Sequence, residues 1–168
     1  MTKYVIAYFA LAVLGFVAAD VSHLPIVQQQ NAAAAAPQAG NAPVTEACLG
    51  CICEAMSECK LGTQCEGGVC GLFRLTWSYW ADAGKPTLAG ELPTSETAYA
   101  NCANDPLCAA TAVQGYMSKY GNKDCNGDGK IDCRDYMNTH YLGGYNCVGQ
   151  LPPIQGGRFE QCLKQLGI

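Results

Sequence analysis

Apolar and polar positions divide the chain into three stretches. An apolar run from Tyr4 to Val17 follows Met1, Thr2 and Lys3 and closes on Val17-Ala18-Ala19. One basic residue, a short apolar core and a small-residue end read as a cleavable secretory signal over residues 1–19. The run is short for a bilayer span and no basic flank follows it, so it predicts no membrane anchor. Residues 20–46 show neither alternation nor helical recurrence. Gln28 to Pro43 holds three consecutive glutamines, a run of five alanines, Pro37 and Gly40, a low-complexity pro-segment or linker expected to pack against nothing.

Residues 47–168 carry the periodic signal. Asp105 is a good N-cap and Pro106 a good first helical residue. Leu107, Ala110, Val113, Met117 and Tyr120 then recur at helical spacing, and Gly121 ends the pattern. A second helix is expected from Cys133 to about Leu142, stopped by Gly143-Gly144. A third is expected from about Arg158 to Leu166, with Phe159, Cys162, Leu163 and Leu166 on one side. Glycine and aromatics dominate Cys59 to Pro93, which suits loops and short strands. The sum is a mainly helical, disulfide-rich α+β domain.

Composition sharpens this picture at two points. Removing the leader takes Lys3 with it and leaves nine basic against fourteen acidic side chains, a net charge of about −5. Such a chain is a poor electrostatic match for nucleic acid or for anionic bacterial membranes. The twelve cysteines are Cys48, Cys51, Cys53, Cys59, Cys65, Cys70, Cys102, Cys108, Cys125, Cys133, Cys147 and Cys162. The CxxC at Cys48–Cys51 would by itself suit zinc or redox chemistry. An even, dense set in an exported chain reads instead as a disulfide framework.

Four ordered blocks carry a resemblance: CLGCICEAMSEC from Cys48 to Cys59, CGLFRLTWSYWADAG from Cys70 to Gly84, the Cys102–Cys108 spacing, and His140 seven residues after Cys133, followed by Gly143, Gly144 and Cys147. Over Cys48 to Cys162 the chain resembles the invertebrate-type lysozymes, also called the destabilase family. The resemblance implies a lysozyme-like domain that hydrolyses the β-1,4 bond between N-acetylmuramic acid and N-acetylglucosamine in bacterial peptidoglycan, secreted, antibacterial or digestive, and without a required cofactor. That chemistry needs two carboxyl groups, one protonated to donate to the leaving oxygen and one ionised.

The chain departs from the family at both. The acid position, three residues after the third cysteine of the first block, is Met56, whose thioether has no proton to give. Glu54 and Glu58 are the neighbouring substitutes; if the segment is helical, two residues is about 200° of rotation, which turns both away from the face of Met56. The family's second acid lies in the loop that here is only Glu66-Gly67-Gly68-Val69, about four residues shorter than the pattern; Glu66 is the remaining substitute. A serine tied to isopeptidase activity in some members is lost with that loop, which leaves the matching His140 to a structural role. Muramidase activity is therefore expected to be weak or absent, with a non-catalytic peptidoglycan-binding immune module as the alternative.

Asp82 matches a family acid that holds a turn. Trp77, Tyr79 and Trp80 serve either as stacking surfaces for sugar or as core. Asp124, Asn126, Asp128, Lys130, Asp132 and Asp135 fall at the first, third, fifth, seventh, ninth and twelfth positions of an EF-hand-like loop, so the segment is either a structural calcium site or an acidic turn entering the next helix. Some family members also carry two more cysteines, at positions occupied here by Ala83 and Ala112, which are expected to face each other.

Overall fold

The computed structural model describes residues 43–62 and 64–168. The expected leader and most of the expected linker lie outside the described residues. The fold is mainly helical with one two-stranded sheet, the α+β class that the sequence predicts.

The first helix, α1 (Glu46–Ser57), begins where Thr45 accepts a hydrogen bond from the Cys48 N–H at 3.2 Å and Glu46 sits in the positive first turn. It buries Cys48, Cys51, Ile52, Cys53 and Ala55. The domain starts earlier than residue 47: Val44 is 1% exposed, and its backbone exchanges hydrogen bonds with the Gln114 side chain. The expectation that nothing up to residue 46 packs on the domain therefore fails at Val44, which is apolar enough to be drawn into the core.

Strands β1 (Val69–Cys70) and β2 (Leu75–Thr76) pair antiparallel, with Val69 opposite Thr76 and Cys70 opposite Leu75. Helix α2 (Trp77–Asp82) follows directly, capped by the Thr76 hydroxyl. Helices α3 (Ala98–Asn104) and α4 (Pro106–Tyr120) meet at Asp105, which ends one and caps the other, accepting from Cys108 N–H at 2.8 Å. Helix α5 (Cys133–Leu142) opens with a reciprocal capping box between Asp132 and Asp135. Helix α6 (Pro153–Leu166) starts five residues before the expected Arg158, because Pro153 supplies a preset first turn.

All twelve cysteines are paired. Cys48–Cys133 and Cys51–Cys162 tie α1 to α5 and α6 across sequence separations of 85 and 111 residues. Loops of that size make each bond worth roughly 4–5 kcal/mol in the chain-entropy picture. Cys53–Cys59, Cys65–Cys70 and Cys102–Cys108 pin local turns, and Cys125–Cys147 holds the segment around α5. Surface charge adds to the α1–α6 packing through Arg158–Glu58 at 2.8 Å, and Arg134 of α5 grips Glu160 of α6 with two nitrogens.

Two apolar expectations are corrected. Leu107 is 81% exposed, because the buried face of α4 runs through Cys108, Ala109, Ala112, Val113, Tyr116, Met117 and Tyr120. Leu166 is likewise exposed in the last turn of α6, whereas Phe159 and Leu163 are core.

The backbone approaches closely at Gly71 and Gly115. A Cβ on Gly71, at φ +69°, would overlap the Ala103 carbonyl oxygen, so the hairpin turn lies flush on α3. A Cβ on Gly115 would strike the Ala83 carbonyl, so the end of α2 lies flush on α4. Gly67 has a similar φ of +57° with open space around it. We expect Gly67→Ala to cost about 1 kcal/mol from its left-handed backbone alone and Gly71→Ala to cost about 2 kcal/mol more from the added overlap. Urea unfolding of both variants measures the difference; equal losses would show that α3 does not press on the turn.

Candidate functional site

A cleft of about 410 Å³ opens between the hairpin, α2 and the end of α5. Met56 of α1 forms one part of its wall, Arg74, Thr76, Ser78 and Asp82 another, and Tyr141 to Gly143 with Tyr145 a third; Tyr79, Tyr116 and His140 lie beneath. Met56 reaches the cleft because Ser57, one residue on, donates its hydroxyl to the Leu72 carbonyl at 2.6 Å and fixes the last turn of α1 to the hairpin.

The base of the cleft is a closed set of hydrogen bonds. His140 Nε2 lies 2.9 Å from the Phe73 carbonyl and Nδ1 lies 3.0 Å from the Tyr79 hydroxyl. A carbonyl only accepts, so Nε2 carries the proton, and the Tyr79 hydroxyl donates to Nδ1. Tyr79 stacks on Tyr116 with ring centroids 3.7 Å apart, and the Tyr116 oxygen accepts from Gly144 N–H at 2.9 Å. Burial pushes the His140 imidazole down to about 4, partly offset by the Phe73 carbonyl, and pushes the Tyr79 phenol well above its ordinary value. His140 is a neutral, fully engaged joint with neither nitrogen free for proton transfer, which is the structural role expected of it.

Among the described residues lining the cleft, Asp82 is the one carboxylate. Lys119 donates to it at 2.7 Å and holds it below its ordinary value, so it is ionised and serves as an anchor between α2 and α4. Glu54 and Glu58 do not line the cleft. Glu58 is bound to Lys60 at 3.2 Å and to Arg158 at 2.8 Å, and both cations lower its titration. Glu66 does not line the cleft either; its side chain is 79% exposed and 3.7 Å from Arg74, which does. The wall thus contains the Met56 thioether and, among the described residues, a single carboxylate, which Lys119 holds ionised.

The aromatic triplet is split by helix geometry. Trp80 is 1% exposed and donates its indole N–H to the Pro86 carbonyl at 2.7 Å, so it is core and not a sugar platform. Tyr79 is buried with its face already covered by Tyr116. Trp77 alone of the three is exposed, with Lys85 over its ring.

The acidic loop is closed by its own backbone. Asp124 accepts from Gly127 and Gly129, Asn126 from Asp128, and Asp128 from Lys130. Asp135 is fully buried and accepts from Cys125, Asn126 and Asp132, while Asp132 caps Arg134. Among the described residues no group of three acidic, histidine or cysteine side chains is placed to hold an ion. Ala83 meets α4 at Gly115, one helical turn from the buried Ala112 and on the same face.

Sequence reasoning missed Arg74, Thr76, Ser78 and Tyr116. The signal for Arg74 was present: it is the one basic residue in the apolar and aromatic run from Cys70 to Gly84.

A family model described as Destabilase matches residues 45–162. Invertebrate-type lysozyme 3 of Caenorhabditis elegans is 38% identical over 104 residues, spanning 60% of this chain and 73% of that protein. A lysozyme of Magallana gigas is 35% identical over 111 residues, spanning 63% of this chain and 71% of that protein. The crystal structure of Tapes japonica lysozyme superposes with a TM-score of 0.52 at 26% identity, covering 72% of this chain and 89% of that one.

The folded His140 titrates below its ordinary value of 6.5, so the unfolded chain takes up a proton that the native state refuses. The stability contributed by neutral His140 is complete above pH 6.5 and is lost as pH falls toward about 4. The loss amounts to roughly 3 kcal/mol. Glu58 and Asp82, held low, begin to lose their contributions only below their ordinary values of 4.5 and 3.8. Urea unfolding midpoints should therefore drop between these limits while the imidazole stays neutral by NMR. A flat profile, or an imidazole titrating near its ordinary value, would contradict the buried joint.

Proposed function

The chain belongs to the Destabilase family of invertebrate-type lysozymes, and from that premise we propose that it is an exported protein that engages bacterial peptidoglycan through the cleft with little or no muramidase activity. Members of this family are lysozymes, and the framework of six disulfides suits an oxidising extracellular compartment. No helix among the described residues is long and apolar enough to cross a membrane.

One observation supports weak activity. Met56, which the resemblance puts at the position of the family's acid, lines the cleft, and Asp82, the one carboxylate among the described lining residues, is held ionised by Lys119. Protonation of the leaving oxygen then falls to water. Loss of a positioned acid costs about 10²- to 10⁴-fold in rate. The cleft itself remains, with a rim of hydroxyls and tyrosines that suits a saccharide, so binding outlasts turnover and the protein acts as a peptidoglycan-binding immune or digestive module.

Turnover of soluble peptidoglycan fragments should lie at least about 10²-fold below that of an active family member. The protein should nonetheless sediment with insoluble peptidoglycan. Met56→Glu should raise turnover measurably, because it returns a carboxyl to a half-buried wall. Hydrolysis by the unaltered protein at the rate of an active lysozyme would refute the proposal and require Glu54, Glu58 or Glu66 to be recruited.

A further inference from the structure

Arg74 occupies an unusual position. It ends the tight turn between β1 and β2, donating its N–H to the Gly71 carbonyl at 3.0 Å, and its φ of 53° is left-handed. Such a backbone is strained for an arginine. The turn is held from both sides. Gly71 is pressed on α3, and the carbonyl of Phe73, the residue before Arg74, is gripped by His140. The result is a guanidinium delivered to the cleft wall on a side chain only 27% exposed.

Its ion-pair partner is a poor match for it. Glu66 reaches one guanidinium nitrogen at 3.7 Å, beyond hydrogen-bonding range, and its own side chain is 79% exposed. A pair of that length at the surface is worth little. The other charge on the wall, Asp82, is already matched by Lys119. Arg74 is therefore the cation in the cleft whose fork of donors is least satisfied, beside the hydroxyls of Thr76 and Ser78, which lie 3.0 Å apart.

We propose that Arg74 is a specificity-determining residue that recognises the carboxylate carried by the lactyl side of peptidoglycan, with Glu66 as the internal carboxylate that the ligand displaces. This rests on the reading of the cleft as a peptidoglycan site. Planar guanidinium pairs with carboxylate through two parallel hydrogen bonds, which Glu66 does not form from its present distance. The cleft then separates acidic glycans of the cell wall from neutral chitooligosaccharides of the same length. The carboxylate comes either from a free lactyl group or from the stem peptide that extends it.

Calorimetry on three soluble ligands tests this: a peptide-free alternating tetrasaccharide with free lactyl acids, the same saccharide bearing stem peptides, and neutral chitotetraose. The intact protein should bind at least one acidic ligand about tenfold more tightly than chitotetraose, with the preference shrinking in high salt. Preference for the peptide-free ligand identifies the lactyl acid, and preference for the peptide-bearing one alone identifies the stem. Arg74→Gln should abolish the preference, weakening acidic binding about tenfold more than it weakens chitotetraose binding. Glu66→Gln, which keeps the arginine, should tighten acidic binding alone. Equal affinity for all three ligands, an Arg74→Gln protein weakened toward all three alike, or a Glu66→Gln protein whose acidic binding is unchanged or weaker, overturns the assignment to Arg74 and leaves the peptidoglycan reading standing. Binding of none of the three overturns that reading and this one with it.

Discussion

The imidazole of His140, held neutral by burial, sits 2.9 Å from the Phe73 carbonyl and 3.0 Å from the Tyr79 hydroxyl and joins the elements that form the base of the cleft. Three separate elements meet at it: the turn after β1, the helix α2 and the helix α5. The carbonyl fixes the turn that presents Arg74. The hydroxyl fixes Tyr79, whose ring packs on Tyr116 of α4. A protonated imidazole would have to donate from both nitrogens, and the Tyr79 hydroxyl, now the donor, would have to turn its hydrogen elsewhere within a buried site. Burial is what keeps the ring neutral, and the disulfides from α1 to α5 and α6 brace the helices around it.

From that joint the chemistry of the wall follows by subtraction. A glycosidase acid must be kept protonated by an apolar or like-charged environment. Here the wall carries a thioether, and cations hold Asp82 and Glu58 below their ordinary values: Lys119 holds Asp82, and Lys60 and Arg158 hold Glu58. The wall presents hydroxyls, tyrosines and a thioether, with Asp82 as its one carboxylate among the described residues.

Legibility in the sequence followed the physics of each element. Helices α4 and α5 carry strong stop and start signals, Asp105-Pro106 and Asp132 with Gly143, and their bounds were readable. Helices α1, α2 and α3 were not placed. In α1 the cysteines mask the periodicity, and α2 and α3 are six and seven residues long, too short to show a stripe. Met56 in the cleft wall was legible from its place among the cysteines. Trp80 was ambiguous because an aromatic run does not say which ring helix geometry will turn inward. The acidic loop fits a cation loop by spacing, and in the folded chain its carboxylate oxygens also accept from backbone N–H groups of the loop and of the next helix's cap. Arg74 was overlooked because its importance comes from a turn pinned by His140, a residue far away in sequence.

The central claim is that the cleft holds an intact glycan against Met56 with no acid in reach of the bond. A crystal structure of the unaltered protein soaked with an alternating tetrasaccharide of peptidoglycan tests it directly. The account predicts an uncleaved saccharide along the wall, with the Met56 thioether against a glycosidic oxygen and no carboxyl within hydrogen-bonding distance of it. A cleaved product in the cleft, or the Glu66 carboxyl bonded to that oxygen, would contradict it.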